Sequence, residues 1–405
     1  MRLLNLELKN IGPFKSAELD FIGDGTVEKP PVTIITGENG TGKTIILDAI
    51  RGVLRGTQGG GFMNRDIVRN NPFLIKLSLK EEAVNELTST KQNANFSFST
   101  SVLNLAFHRY FTNRPNGLPK WIANYWTSQV SNEKLEIDNY IFPKPEKFLE
   151  NALNGIQRNT EVIELITFFD FMKKSDNKKE KELGRILFDF MKKIIKKSIT
   201  NGKFEYVSVT KRMPIISQLG YEIELNKLSS GNLYLIQRMI GLLGQMYAVA
   251  QLHDLPIEDI CKTPGVLLID EAENHLHPKW QKTFLNDILD IFPNLQIIVT
   301  THSPFIVSSV ENARVYVCES RINHAEVVDR TSDYSNRPIE EILVSPVFDT
   351  MPFNSKITNL LERRKTAIQI GDKDLENKIE AELKRLNPNH FTYLDIEQLL
   401  ESISK

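Results

Sequence analysis

The 405-residue sequence predicts an α/β fold in which a mixed β-sheet core is flanked by helices. Three observations predict it. Apolar and polar residues alternate over 4–8, short apolar runs recur at 32–36, 266–269 and 297–300, and helical spacing of apolar residues follows the first of these runs. Strands interleaved with helices are typical of layered α/β domains. The same patterning predicts a helical insertion and a helical C-terminal extension.

The composition excludes several classes of protein. Hydrophobic residues make up 41%, charged residues 25%, and the formal net charge is -1, which predicts no global attraction to nucleic acid or membranes. No apolar run approaches the ~20 residues of a membrane span, and the N-terminus lacks a signal-peptide core. Cys261 and Cys318 are too few for a disulfide framework and fit no metal-ligand spacing. We therefore expect a cytoplasmic protein without membrane contact.

The elements can be assigned in order from periodicity and turn residues. The first part of the chain has a β-hairpin over 4–21 with its turn at 10–13, a loop at 23–31, a strand at 32–36, a helix at 45–54, a Gly-rich loop at 57–71, and strands at 73–79 and 101–107. Two helices flanking a solvated break at 175–181 follow, and then an amphipathic helix headed by 228–231. The last part has strands at 266–269 and 297–300, a helical hairpin over 356–386, and a break at 387–390 before a last short helix.

The helical segment over 145–200 concentrates positive charge on a near-neutral chain. A solvated helix face is one interpretation of this charge, and contact with the phosphate backbone of DNA or RNA is the other. The lysines concerned are Lys173, Lys174, Lys178, Lys179, Lys181, Lys192, Lys193, Lys196 and Lys197.

The first chemical motif is GENGTGKT at 37–44, between a predicted strand and a predicted helix. It matches the phosphate-binding loop G-x-x-x-x-G-K-[ST], in which glycines let backbone N–H groups and a helix N-terminus face phosphate oxygens. Lys43 would reach the β- and γ-phosphates, and Thr44 would bind Mg²⁺. The residues predicted to bind ATP here are Asn39, Gly40, Thr41, Gly42, Lys43, Thr44 and Ile45.

The second motif, VLLIDEAENHLHP, ends an apolar strand in two carboxylates. Asp270 is predicted to bind the Mg²⁺ of a nucleotide, and Glu271 to act as the general base toward the attacking water. Glu273, His275 and His277 follow at spacing that would also suit a metal. A role in shaping the loop after the strand is the favoured interpretation of these three residues.

Two further motifs suit an anion. In IIVTTHSPFIV, a buried strand delivers His302 at its carboxyl end, where an imidazole could contact a γ-phosphate or the attacking water. In LSSGNLYLIQRM, Ser229, Ser230 and Gly231 precede a helix, and so offer hydroxyls and a helix N-terminus to a second anion.

The four motifs, in this order, resemble the ATP-binding-cassette class of ATPases. In that class the signature, here LSSG, contacts the γ-phosphate held by another subunit. The resemblance implies that Ser229, Ser230 and Gly231 touch a partner's ATP, within a head-to-tail homodimer that closes around two nucleotides and can build higher oligomers. The loop at 274–277 would cross the same interface. Lys43, Glu271 and His302 would be the catalytic residues, with ATP and Mg²⁺ bound.

Within that class the sequence resembles SMC-like and OLD-like ATPases of the AAA_15 and AAA_21 types. The ATPase subunits of bacterial anti-phage systems are the nearest in character: Septu-type, which work with an HNH nuclease, retron-associated and PARIS-type. The resemblance covers about 1–55, 220–310 and, loosely, the C-terminus. It implies an ATPase lobe at 1–140, the Lys-rich insertion at 141–205, a second ATPase lobe at 206–335 and a partner-docking region at 336–405.

The implied function is an ATP-hydrolysing ATPase that regulates a separately encoded effector, foremost a nuclease, in anti-phage defence. An SMC-like repair or recombination ATPase acting directly on DNA is the alternative, and a transporter's energising subunit is a third. The chain departs from the class in its long span between P-loop and signature and in its lack of a long coiled coil. Gln58 and Gln129 are both candidates for the glutamine loop, and Phe14 and Lys15 for adenine contact or, for Phe14, packing.

Overall fold

The computed structural model describes residues 1–22, 32–55, 72–80, 84–90, 97–99, 120–127, 147–150, 152–155, 159–348 and 353–391. The chain divides into two compact units, Met1–Ile342 and Leu343–Lys405. The predicted strand at 101–107, the loops at 23–31 and 57–71, and the last predicted helix lie outside the described residues. None of the described helices has the length and apolar character that crossing a membrane requires.

The first unit is built on a mixed β-sheet, as predicted. Among the described strands, eleven join in the order β6-β5-β4-β1-β2-β14-β13-β3-β12-β11-β7, and β10-β9-β8 form a separate antiparallel sheet. The strands are β1 (Arg2–Ile11), β2 (Phe14–Asp20), β3 (Val32–Gly37), β4 (Leu74–Lys80), β5 (Val84–Thr90), β6 (Ser97–Ser99), β7 (Ile122–Trp126), β8 (Gly202–Ser208), β9 (Met213–Gln218), β10 (Tyr221–Glu224), β11 (Gly265–Ile269), β12 (Leu295–Thr300), β13 (Arg314–Ser320) and β14 (Ala325–Asp329).

The large sheet has a parallel half and an antiparallel half. Strands β7, β11, β12, β3 and β13 pair in parallel, whereas the predicted hairpin β1–β2 and its neighbours β4, β5 and β6 pair antiparallel. Every residue of β3, β7, β11 and β12 is buried, as expected for parallel strands covered on both faces. The apolar runs at 32–36, 266–269 and 297–300 therefore predicted the central strands correctly.

The helices flank this sheet and form the second unit. They are α1 (Lys43–Arg55), α2 (Lys147–Glu150), α3 (Asn159–Met172), α4 (Lys178–Ser198), α5 (Ser230–His253), α6 (Pro278–Gln281), α7 (Phe284–Ile291), α8 (Pro304–Val307), α9 (Thr331–Tyr334), α10 (Ile339–Leu343), α11 (Ser355–Ile370), α12 (Lys373–Leu386) and α13 (Pro388–Phe391).

Helix α5 is central rather than amphipathic, which corrects the prediction for the helix after 228–231. Every residue from Tyr234 to Ala250 is buried, because α3 and α4 pack against it. Its polar side chains have internal partners: Arg238 donates to the carbonyls of Gly155 and Thr127, and Gln245 accepts a hydrogen bond from Asn124. The polar residues of α5 therefore do not mark a solvent-exposed face of the helix.

The lysine-rich insertion is part of the first unit, and two of its lysines bind helix α7. Lys197 forms ion pairs with Asp287 and Asp290 on α7, at 2.6 and 2.8 Å, and Lys193 donates to the Asp290 carbonyl. The N-cap residue Asn177 starts α4 at Lys178, so the predicted break at 175–181 is shorter than expected.

Other lysines of the insertion pair within it. Lys173 and Lys174 share Asp170, and Lys192 pairs with Asp189. Part of the local positive charge is therefore already neutralised.

The second unit is the predicted helical hairpin. Gly371, at φ 74°, ends α11, and the Asp372 carboxylate caps α12 by accepting from the Leu375 amide. A small apolar core joins the helices, and the Arg364 Nε donates to Glu380 at 2.7 Å. The predicted break at 387–390 is wrong, because Pro388 begins the short helix α13, consistent with the preference of proline for the first helical turn.

One buried side chain joins strands that are far apart in the sheet order. Four strands separate β1 from β12, yet Gln296 of β12 accepts from the Leu3 amide at 2.7 Å and donates to the Leu3 carbonyl at 2.9 Å. Gln296 is fully buried and replaces a strand partner for Leu3, whose pairing with β2 begins only at Asn5. This link holds the sheet in a curled form.

Replacing Gln296 with leucine should destabilise the first unit. The variant keeps side-chain volume but leaves the buried N–H and C=O of Leu3 without partners, which we expect to lower the free energy of unfolding by about 2–4 kcal/mol. Denaturant unfolding followed by circular dichroism measures this change. The control, Gln251→Leu on the exposed end of α5, should unfold like wild type. Equal stability of the two variants would contradict the structural role of Gln296.

Candidate functional site

The chemical motifs meet at one edge of the sheet. The P-loop follows β3, Asp270 and Glu271 follow β11, and His302 follows β12, and these three strands are parallel neighbours. Carboxyl ends of parallel strands are where open α/β sheets bind ligands. Motifs separated by more than two hundred residues in the chain therefore share one location.

The P-loop has the backbone conformation of an anion cradle. Gly40 and Gly42 have φ values of 77° and 95°, which favour glycine. A Cβ on Gly42 would lie 2.8 Å from the Phe14 ring, so the loop rests on that side chain. Because Phe14 is fully buried there, the structure favours its packing role, whereas Lys15 is exposed. Ile45 packs against Gly12 in the β1–β2 turn.

Lys43 lies within this cradle. Its Nζ donates to the carbonyls of Gly37 at 3.0 Å and Glu38 at 2.7 Å, and Thr41 Oγ1 donates to the same Glu38 carbonyl. Burial lowers the pKa of Lys43, while the nearby acidic side chains oppose that change. A phosphate bound in the loop would offer this ammonium stronger acceptors than neutral carbonyls.

Asp270 is the centre of a hydrogen-bond network. Its Oδ1 accepts from Thr44 Oγ1 at 3.1 Å and from Thr300 Oγ1 at 2.6 Å, and its Oδ2 accepts from the Tyr125 hydroxyl at 3.3 Å. A carboxylate and a threonine hydroxyl this close suit a hard cation such as Mg²⁺, which prefers oxygen ligands. Thr44 and Asp270 therefore fit the predicted metal site.

Two residues behind this network were not predicted. The Arg51 guanidinium stacks 3.6 Å from the centre of the Tyr125 ring and pairs with Asp48, one helical turn after Thr44. Burial raises the pKa of Tyr125, and the neighbouring Asp270 carboxylate raises it further, so the phenol remains a proton donor. Tyr125 carries no local motif, and only its position at the end of a buried strand could have indicated it.

Glu271 is held in a left-handed conformation at φ 48°. Its amide donates to Thr300 Oγ1 at 2.9 Å, and Asn274 Nδ2 donates to its Oε2 at 2.7 Å. Left-handed backbone is uncommon for a non-glycine residue and is often found at functional sites. The side chain thus has a defined orientation next to the predicted metal ligand.

Glu273 and the two histidines of the loop have partners within the protein. Glu273 accepts from Thr301 Oγ1 at 2.6 Å and from the His302 amide at 2.8 Å. The His275 ring contacts Tyr234, and His277 Nδ1 caps α6. Among the residues that the structure describes, no group of three acidic, histidine or cysteine side chains could hold a metal.

His302 is half-buried beside charged groups. Burial lowers the pKa of its imidazole, the positive charge of Lys43 lowers it further, and Glu273, Glu271 and Asp270 act in the opposite direction. The net effect lowers the pKa of His302 and favours the neutral form of the ring. A neutral imidazole can donate from one nitrogen and accept at the other.

The signature residues lie at the start of α5. Ser229 caps the helix by accepting from the Asn232 amide at 3.4 Å, and both Ser229 and Ser230 are exposed. A Cβ on Gly231 would lie 2.2 Å from the His275 carbonyl oxygen, so only glycine fits here. The signature and the loop at 274–277 therefore form one continuous surface.

A small cavity of about 250 Å³ lies beside the P-loop. It is lined by Asn39, Gly40 and Thr41 on one side and by Pro13 and the β13–β14 turn on the other.

The candidate glutamines Gln58 and Gln129 are outside the described residues. Both cysteines are free and buried, and burial raises the pKa of the Cys318 thiol to about 12.

The pKa of His302 should lie below the ordinary 6.5 in the nucleotide-free protein. As pH falls from 6.5 through the lower folded value, the unfolded chain binds the proton first, so the stability that this residue contributes declines with falling pH. An NMR titration of the histidine rings, assigned with His302→Gln, measures the pKa. Lys43→Ala should raise it toward the ordinary value. A wild-type pKa at or above 6.5 would contradict the burial of the ring beside Lys43.

The chain is similar in sequence to several known proteins. The chain is 28% identical over 345 residues to the Septu protein PtuA of Bacillus thuringiensis, covering 77% of each. It is 24% identical over 365 residues to the Septu protein PtuA of Bacillus mycoides (strain KBAB4), covering 86% of this chain and 45% of that protein. It is 25% identical over 177 residues to the Retron Vc95 probable ATPase of Vibrio cholerae serotype O1 biovar El Tor, covering 43% of this chain and 33% of that protein. The chain thus spans under half the length of the last two.

A solved structure shares the fold. The SmcHead bound to the C-winged helix domain of ScpA has a TM-score of 0.51 and 15% sequence identity, and the match covers 81% of this chain and 98% of that one. The predicted α/β fold, a mixed β-sheet core flanked by helices, is thereby confirmed. Residues 32–308, which include the P-loop, Asp270 and His302, match one family over more than half of the chain. The chain therefore belongs to the ATPase family described as "AAA domain, putative AbiEii toxin, Type IV TA system".

Proposed function

We propose that this protein hydrolyses ATP, that two copies close head to tail around two ATP molecules, and that the closure regulates a separately encoded effector in defence against phage. The observation that carries the enzymatic part is the link from Thr44 to Asp270, which joins the P-loop to the acidic strand end, with Glu271 directly after it. P-loop ATPases bring a metal, a phosphate cradle and a water-activating residue together in this way.

Each site residue has a role in this proposal. The backbone N–H groups of 39–45 and the Lys43 ammonium would bind the β- and γ-phosphates. Thr44 and Asp270 would hold Mg²⁺, which when bound neutralises charge on the phosphate oxygens. Glu271 would accept a proton from the attacking water, and the neutral His302 would hydrogen-bond the γ-phosphate or that water.

The dimer is supported by the exposed signature. Ser229 and Ser230 lie at the N-terminus of a 24-residue helix, whose dipole favours an anion, and both are accessible. The P-loop of the same chain lies between β3 and α1, whereas the signature serines begin α5. A phosphate held by a second copy is the anion that these groups would recognise.

The effector and the setting are supported by the named relatives. One relative that the chain matches over most of its length is a Septu protein, and another is a retron ATPase. The second unit would supply the docking surface for a nuclease, since α11 and α12 expose Ile368, Ile370 and Leu386. The unit's own core lies between these helices and is separate from the exposed side chains.

Direct action on DNA is the second candidate. Four lysines of the insertion, Lys178, Lys179, Lys181 and Lys196, are exposed and have no ion pair among the described residues. Lys193 and Lys197, by contrast, are bound to α7. Salt-sensitive DNA binding that depends on the four exposed lysines would favour this candidate.

Glu271→Gln should block hydrolysis and accumulate ATP-bound dimers. Loss of a general base is expected to lower kcat by about 10²-fold or more, while phosphate binding at Lys43 persists. Phosphate release and light scattering after gel filtration in Mg·ATP measure the two effects. Glu311→Gln removes an equal charge from an exposed turn and should behave like wild type. Wild-type protein without ATPase activity would contradict the proposed mechanism. A Glu271→Gln variant that is no more dimeric in Mg·ATP than wild type would contradict it as well.

Ser230→Arg should separate ATP binding from pairing. The bulky cation would occupy the surface that meets the partner's nucleotide, so hydrolysis and ATP-driven dimerisation should be lost while ATP still binds at Lys43. Equilibrium binding of a fluorescent ATP analogue, run beside the dimer assay, makes the comparison. Ser332→Arg, at an exposed serine of α9, is the matched control. Normal hydrolysis by Ser230→Arg would leave Ser229 as a helix cap only.

A further inference from the structure

The Glu273 carboxylate ties two loops of the site together. Both of its oxygens are engaged, one by the Thr301 hydroxyl at 2.6 Å and the other by the His302 amide at 2.8 Å. Glu271 differs, because its Oε1 has no hydrogen bond among the described residues. The two bonds of Glu273 act on the segment 301–302, which carries the His302 ring.

Gln281 on α6 makes a second link between the same loops. Its amide nitrogen donates to the carbonyls of Glu273 and Leu276, at 3.3 and 2.8 Å, and its amide oxygen accepts from Ser303 Oγ at 2.6 Å. Two side chains thus cross from the loop after β11 to the loop after β12. A shift of one loop would break several hydrogen bonds, including charge-assisted bonds to Glu273.

The far end of the loop after β11 presses against the signature helix. The His275 carbonyl leaves no room for a side chain on Gly231, and the His275 ring contacts Tyr234 of α5 with ring centres 6.1 Å apart. His275 itself is left-handed, at φ 65°, so the loop has a specified shape at this point. One loop therefore touches His302 at its start and the signature at its end.

We infer that Glu273 is a positioning residue that couples the histidine of the nucleotide site to the signature surface through the loop at 273–277. The inference rests on the proposed function for its consequence: His302 would face the chain's own ATP, and the signature would face the ATP of a second copy. Glu273 would then transmit the state of one nucleotide to the other. Coupling of this kind requires a physical element that both sites bias, and the loop is that element.

Amide hydrogen exchange of the nucleotide-free, full-length protein tests the coupling directly. The variants are Glu273→Ala, which removes both acceptors, and Glu273→Gln, which keeps one oxygen for the His302 amide. Glu311→Gln is the matched control for charge. Peptides covering 300–303, 274–277 and 229–234 report the two loops and the signature, and circular dichroism establishes that each variant is folded.

Glu273→Ala should accelerate exchange about tenfold in all three peptides, since a local charge-assisted bond network is lost, and Glu273→Gln should lie between it and wild type. Exchange that rises only in 300–303 would overturn the coupling, and unchanged exchange would overturn the positioning role as well. Neither result depends on ATPase activity, so failure of the proposed function is separately recognisable.

If the protein hydrolyses ATP, Glu273→Ala should lower kcat about tenfold at unchanged KM, with Glu273→Gln again intermediate. A raised KM at unchanged kcat would also overturn the inference.

Discussion

The first unit depends on one buried carboxylate. Asp270 follows β11 and accepts hydrogen bonds from hydroxyls on α1, β12 and β7, three elements that are distant in the chain. A buried carboxylate without such partners would be strongly unfavourable, so the three donors stabilise the folded chain around Asp270. The same requirement sets the register of three parallel strands relative to the first turn of α1. The candidate site is therefore also an organising point of the sheet.

Close backbone approaches give this arrangement its precision. Gly42 rests on the buried Phe14 ring, a Cβ on Gly37 would lie 2.3 Å from the Cys318 carbonyl oxygen, and Gly231 meets the His275 carbonyl. At each of these places a side chain would displace backbone or a packed ring. Gly37 and Gly42 of the P-loop are needed both for their positive φ and for space, whereas Gly231 of the signature is needed for space alone.

Much of the fold and the candidate site could be predicted from the sequence, because the signals are local. Runs of buried apolar residues identified the parallel strands, and the spacing of glycines before Lys43 identified the P-loop. The burial of α5 could not be predicted, since Arg238 and Gln245 resemble an exposed polar face until their partners at 124–155 are known. The roles of Gln296 and Tyr125 could not be predicted from the sequence either. Their roles depend on residues more than a hundred positions away, and no periodicity records that.

The burial of α5 on every side has a mechanical consequence. A helix of 24 residues is ~36 Å long, and one that is enclosed over most of its length cannot rotate or slide without moving the helices around it. The serines at the N-terminus of α5 are thus carried by a long helix that is held rigidly in the domain. Movement of this N-terminus would displace α3 and α4, which pack against the helix, so the signature serines and the insertion are mechanically linked.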